Sequence, residues 1–152
     1  MSYWDTSCLI KLYTPEPDSA TFRAHLATGG ACVTCDIAPL EFWATVRRKE
    51  AEGVLAVREA EKVHAALQSD IAAGSITIIP CDAAVRAKFH TIVEHCHALQ
   101  PPIFIRTNDA LHLAAAMCAG ETEIVATDKR LREAAVALGL TVFPPAPLAV
   151  IP

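Results

Sequence analysis

Four acidic residues stand where the chain changes direction. Asp5 follows Ser2-Tyr3-Trp4, Glu41 lies two residues after Pro39, Asp109 follows Arg106-Thr107-Asn108, and Asp128 follows Val125-Ala126-Thr127. Taken singly, each Asp reads as a helix cap, whose carboxylate accepts orphan N–H groups and gains ~0.3–1 kcal/mol from the helix dipole. Glu41 alone reads as a solvated helix residue. Asp36 and Asp82 are the internal comparison, since both follow strands and both read as caps only. Convergence would change the chemistry. Two carboxylates ~4 Å apart repel by ~4 kcal/mol at an effective dielectric of 20. A gathered set therefore needs protons or a cation. Mg²⁺ and Mn²⁺ are the cations that prefer carboxylate and water oxygens. No Cys or His adjoins Asp5, Glu41 or Asp128, which is wrong for structural zinc.

The neighbours of these four residues supply candidate supporting groups. Thr6, Ser7 and Thr127 offer hydroxyls, although Thr6 and Ser7 read equally well as caps. His112, one turn after Asp109, could join a metal shell, with packing or an outer hydrogen bond the preferred reading. Arg47, Arg48, Lys49, Arg106, Lys129, Arg130 and Arg132 are the nearby cations. Arg106 ranks first among them for holding a polyanion, because it lies three residues before Asp109. Arg48 shares a helix face with Glu41 and could tether it.

The elements that must position these residues are legible from punctuation and periodicity. Short strands are expected at 2–4, 31–35, 76–79, 123–127 and 141–143. Helices are expected at 6–13, 19–27, 36–52, 54–73, 82–98, 109–118 and 128–138. Prolines 15, 17, 80, 101 and 102 and glycines 29, 30, 53, 74, 120 and 139 separate them. Thr107 or Asn108 is expected to cap the helix carrying Asp109. Alternating strands and helices indicate an α/β fold, a three-layer α/β/α sandwich around a central, mainly parallel sheet. In such sheets, sites gather beyond the carboxyl ends of the strands.

Composition limits the alternatives. With 152 residues, 53% hydrophobic, and a formal charge of −4, one well-packed domain is expected. Residues 1–144 are assigned to it, and 145–152 to a proline-rich C-terminal tail. No apolar run is long enough for a membrane span, and no signal peptide is visible, so a cytoplasmic protein with no membrane partner is expected. The six cysteines read as buried, unreactive thiols. Cys32 and Cys35, three apart on a strand, would face opposite ways. His90, His95 and His97 around Cys96 read as a polar helix end rather than a metal cluster.

Four local strings carry a family resemblance. Trp4-Asp5-Thr6-Ser7-Cys8-Leu9-Ile10-Lys11-Leu12-Tyr13 resembles the opening of the PIN-domain nucleases. Pro39-Leu40-Glu41-Phe42-Trp43 is similar to their second acidic site. Arg106-Thr107-Asn108-Asp109-Ala110-Leu111-His112-Leu113-Ala114 is similar to the third, and Val125-Ala126-Thr127-Asp128-Lys129-Arg130-Leu131 to the fourth. Many small members of this family are VapC-type toxins of prokaryotic toxin–antitoxin pairs. The resemblance implies an endoribonuclease dependent on Mg²⁺ or Mn²⁺, usually a homodimer, held inactive by a cognate antitoxin. It implies Asp5 and Asp109 as direct metal ligands, with Glu41 and Asp128 completing the set and RNA as substrate. Members often carry Thr or Ser two residues before the fourth Asp, where this chain has Ala126. Thr127 is expected to point to the other side of its strand, which leaves hydroxyl support at the fourth acid open.

Two other readings compete with this one. An aspartyl phosphoryl-transfer domain would want a second acid near Asp5, where Thr6 and Ser7 stand. A catalytically silent PIN scaffold binding RNA or protein would not need all four carboxylates. The apolar faces of helices 6–13, 19–27 and 54–73 could hold a partner, but core packing explains them. The charge balance fits a metal site: without the four acids, the acidic count equals the thirteen Lys+Arg.

Overall fold

A computed structural model describes residues 1–29 and 31–145. Five strands form one sheet: β1 (Ser2–Trp4), β2 (Cys32–Cys35), β3 (Ile76–Ile79), β4 (Glu123–Val125) and β5 (Thr141–Phe143). The order is β3-β2-β1-β4-β5, and every pairing is parallel. Around them lie α1 (Thr6–Tyr13), α2 (Ser19–Gly29), α3 (Ala38–Ala51), α4 (Glu59–Ala72), α5 (Ala83–Ala98), α6 (Thr107–Cys118) and α7 (Lys129–Ala137). The chain winds outward from β1 in one direction, then returns to add β4 and β5 on the other side. β1 is therefore central, and the point where strand order reverses lies between β1 and β4.

Strand alternation builds two cores. Tyr3, Val33, Cys35, Ile124 and Ala126 pack with buried residues of α5, α6 and α7, among them Ile92, Leu113 and Leu131. Trp4, Cys32, Ile76 and Val125 pack with Leu9, Phe22, Phe42 and Leu67 from α1 to α4. Helices thus cover both faces of an all-parallel sheet, as burial of both faces demands. Cys32 and Cys35 fall into different cores, and all six thiols are free. His90, His95 and His97 are exposed on α5 while Cys96 is buried. The apolar faces of α1, α2 and α4 are spent on the core, through Leu9, Ile10, Phe22, Val63 and Leu67.

Several boundaries differ from expectation, each for a local reason. Asp36 does not cap α3: it sits in a turn, Ile37 takes the cap position, and Asp36 Oδ2 accepts from the Cys81 N–H at 3.0 Å. The carboxylate thus ties the exit of β2 to that of β3. Asp82 does cap α5, accepting from Ala84 and Val85. The helix expected over 54–73 begins only at Glu59, because Arg58 holds φ 67°, a left-handed conformation that cannot continue a helix. α6 starts at Thr107, with Arg106 as its N-cap residue and no side-chain cap bond. Apart from Pro145, the expected tail lies outside the described residues. Among the described residues, no helix is long and apolar enough to cross a membrane.

Candidate functional site

A cleft of about 780 Å³ opens at the carboxyl edge of the sheet, beside the β1/β4 reversal. Asp5, Glu41, Asp109 and Asp128 all line it, with Thr6, Ser7, Thr127, Arg48, Arg106 and Asn108. Asp36 and Asp82 do not. Tertiary structure therefore makes the distinction that strand-to-helix position could not.

Each carboxylate is delivered by a different junction. Asp5 leaves β1 in extended geometry, its N–H bonded to the Val125 carbonyl at 3.0 Å. Its side chain caps α1 by accepting from the Ser7 N–H at 3.2 Å and from the Ser7 hydroxyl. Asp128 leaves the β4 edge and caps α7, accepting from Leu131 N at 3.0 Å. Asp109 lies in the first turn of α6 and Glu41 in the first turn of α3. Asp5 and Asp109 are each only 7% exposed. Capping and site-forming are compatible here: a cap bond occupies one side of a carboxylate and leaves lone pairs for the cleft.

Glu41 is held most firmly. Oε2 accepts from Thr6 Oγ1 at 2.5 Å and lies 2.9 Å from His112 Nε2, while Oε1 accepts from Asn108 Nδ2 at 2.6 Å. Arg48 is not its tether; that side chain is 68% exposed and lies 4.0 Å from Glu52. The reason is competition, since Thr6, Asn108 and His112 already engage both Glu41 oxygens from inside the fold. Nor are Thr6 and Asn108 helix caps, because Asp5 takes the first role and Arg106 the N-cap position of α6. Thr127 lines the cleft because β4 ends at Val125, so strand alternation no longer applies two residues later. Ala126 is buried in the core.

Arg106 enters the cleft itself. Nε donates to Asp109 Oδ2 at 2.7 Å, and Nη2 donates to Asp109 Oδ1 at 3.3 Å and Asp128 Oδ2 at 2.9 Å. Among the described residues, no three His, Cys, Asp or Glu side chains are gathered tightly enough to hold a metal ion. The four carboxylates share the cleft, and the guanidinium bridges two of them as countercharge. The donor set fits a hard divalent cation by type: oxygen only at the cleft, with a positive group already drawn into it. Burial raises the pKa of Asp109, Arg106 pulls it down, and the charges of Asp128 and Asp5 push it up, leaving it above its ordinary value. Burial also raises that of Glu41, but hydrogen bonding and charge from His112, with Thr6 and Asn108, bring it below its ordinary value.

Asn108, which lines the cleft, and Tyr3, whose hydroxyl lies 2.9 Å from His112 Nδ1 behind it, are the residues that sequence reasoning missed. Asn108 had a usable signal, its place beside Asp109 in Arg106-Thr107-Asn108-Asp109. Tyr3 had none, since a tyrosine in a buried strand reads as core.

Comparison with known proteins places the chain in a family. The family model for the PIN domain matches residues 2–137. The chain belongs to the PIN domain family. Ribonuclease VapC35 from Mycobacterium tuberculosis is 30% identical to this PIN domain over 151 residues, 95% of this chain and 97% of that one. Among solved structures, FitAcB from Neisseria gonorrhoeae superposes with a TM-score of 0.68 at 20% identity, covering 95% of this PIN domain and 98% of that chain. VapBC2 from Rickettsia felis, bound to a DNA fragment from its promoter, gives 0.64 at 17% identity, covering 93% and 97%. These two show a shared fold over most of the chain.

Proposed function

We propose that this PIN domain is a divalent-metal-dependent endoribonuclease acting as the toxin of a toxin–antitoxin pair. The observation that carries the reading is the convergence of Asp5, Glu41, Asp109 and Asp128 on one cleft, two of them nearly buried. The likeness to a relative named a ribonuclease over almost the whole of both chains supports it. Asp5 and Asp109 would hold Mg²⁺ or Mn²⁺ directly, with Glu41 and Asp128 completing the set. A divalent ion held there would supply Lewis acidity, lowering the pKa of water toward ~7 and offsetting charge on the scissile phosphate. The remaining work belongs to the chain. Ser7 and the α1 N-terminus orient Asp5, Thr6 and Asn108 orient Glu41, and Asp128 or Glu41 accepts a proton from the attacking water. Arg48 on the cleft wall, and Arg106 once released by a cation, supply positive charge for the RNA backbone.

Three further points rest on the same reading. A cognate antitoxin is the expected partner, consistent with a fold neighbour from Klebsiella pneumoniae described as a toxin–antitoxin complex. A homodimer and a cytoplasmic location follow the pattern of small members of the family. The test is RNA cleavage with Mg²⁺, Mn²⁺ and EDTA, for wild type, Asp5→Ala and Asp109→Ala. Metal-dependent cleavage lost in both variants is expected. Cleavage that survives EDTA, or full activity in both variants, sinks the reading. RNA binding without cleavage would point instead to a silent scaffold. A small DNA-binding protein encoded beside this chain, co-purifying with it and suppressing cleavage, is the expected antitoxin.

A further inference from the structure

His112 is 1% exposed, yet it touches polar atoms from four other elements. Nε2 lies 2.9 Å from Glu41 Oε2 on α3, 3.3 Å from Thr6 Oγ1 on α1, and 3.7 Å from the Asp5 carboxylate. Nδ1 lies 2.9 Å from Tyr3 Oη on β1 and 3.4 Å from Cys35 Sγ on β2. Tyr3 is itself fully buried, with its ring edge-on to the imidazole. A buried imidazole is costly unless both nitrogens are partnered. Here both are, and the arrangement also fixes the tautomer. A carboxylate only accepts, so the proton facing Glu41 must sit on Nε2, whatever the charge of the ring. Nδ1 is left to pair with the Tyr3 hydroxyl.

We propose that His112 is the positioning residue for Glu41, a buried donor aimed by Tyr3 that sets the direction in which the Glu41 carboxylate faces the cleft. Glu41 is on α3, and its side chain is 26% exposed. Without inner donors, a helix glutamate has several rotamers open to it, most of them directed to solvent. His112 and Thr6 fix Oε2 while Asn108 fixes Oε1, so the side chain is held before any ligand arrives. His112 also couples two acidic sites, because it occupies the turn of α6 that follows Asp109. Groups that orient metal ligands from behind typically change affinity or activity 10–100-fold when removed. The role rests on the reading of the cleft as a metal-dependent ribonuclease site.

The test is a double-mutant cycle with His112→Leu and Glu41→Gln, read two ways: cleavage of a fluorophore-labelled single-stranded RNA of randomised sequence, and Mn²⁺ affinity by calorimetry. In the wild-type background, His112→Leu is expected to lower kcat and Mn²⁺ affinity about 10–100-fold, with KM for RNA little changed. In the Glu41→Gln background it should add almost nothing, since residues acting through one contact are non-additive. His112→Gln, which keeps a donor near the Nε2 position, should recover most of both losses. Equal losses in both backgrounds would mean a structural role and overturn the proposal. So would an unchanged kcat and Mn²⁺ affinity in His112→Leu. If His112→Leu does not fold, Tyr3→Phe carries the same cycle with a smaller expected loss. Wild type that cleaves no RNA overturns the ribonuclease reading alone, because the calorimetric cycle still tests the coupling. Wild type that binds no Mn²⁺ overturns both.

Discussion

Arg106 Nη2 donates to Asp128 Oδ2 at 2.9 Å, joining the N-terminal end of α6 to that of α7 across the mouth of the cleft. The same guanidinium engages Asp109 at 2.7 Å. One arginine therefore offsets the repulsion between two of the four acids, and a bound cation would take over that task. Arg106→Gln is expected to lower the melting temperature of the metal-free protein by about 1–4 °C, the range for the loss of up to ~1 kcal/mol in a domain of this size. Mn²⁺ should bind this variant more tightly than wild type, since no guanidinium has to leave. Weaker binding would instead assign Arg106 to holding the acids in place for the ion.

Metal binding should be visible without any RNA. At a hundredfold excess over Kd, a ligand specific for the folded state adds ~2.7 kcal/mol, a rise of about 5–10 °C in Tm here. Asp5→Asn and Asp109→Asn are expected to abolish the Mn²⁺-induced rise, measured by differential scanning fluorimetry. A shift of the wild-type size in either variant would place the ion elsewhere.

Asp82 and Asp128 separate capping from chemistry. Asp82 accepts from Ala84 N at 2.9 Å and Val85 N at 3.0 Å and does not line the cleft. Asp82→Ala should cost about 0.5–2 kcal/mol in urea denaturation and leave the RNA cleavage rate unchanged. Asp128→Ala loses the bond to Leu131 N as well, so a similar destabilisation is expected. It should also reduce cleavage, at temperatures where the variant remains folded.

The thiols provide a check on the core. Cys8, Cys32, Cys35 and Cys96 are buried, and burial pushes the Cys8 and Cys32 thiols up to about 12. Cys81 is partly exposed, but burial and the neighbouring Asp36 carboxylate raise it to about 12 as well. Cys118 is exposed. In native protein at pH 8, Ellman's reagent should titrate Cys118 alone within minutes, and all six thiols after unfolding in guanidinium chloride. Rapid labelling of Cys32 or Cys35 would contradict their assignment to two closed cores.

Phe42 tests the link between the core and the site. It follows Glu41 on α3 and is fully buried, packed edge-on against Tyr13. Phe42→Ala should cost about 3–5 kcal/mol in chemical denaturation. Phe42→Leu, with a milder loss, should leave the helix seated and cleavage close to wild type.

Most of the strands and helices, and the four acids that line the cleft, are legible in the sequence. These are local properties: β-branched and aromatic runs, glycine and proline stops, and Asp at strand-to-helix junctions are all read within a few residues. The helix expected over 54–73 failed because the left-handed backbone of Arg58 leaves no clear mark in side-chain type. Asp36 failed as a cap because its partner, the Cys81 N–H, is 45 residues away. Which acids share a cleft depends on how the strands are ordered. Asp5, Asp82 and Asp128 all follow strands of one parallel sheet, but β1 and β4 are neighbours while β3 is an outer strand, so Asp5 and Asp128 meet beside the reversal of strand order and Asp82 does not line the cleft. Only the fold, likewise, could make a core-like Tyr3 and His112 into support for Glu41. That contact links residues more than 70 positions apart, and its signal is a distance that no spacing along the chain contains.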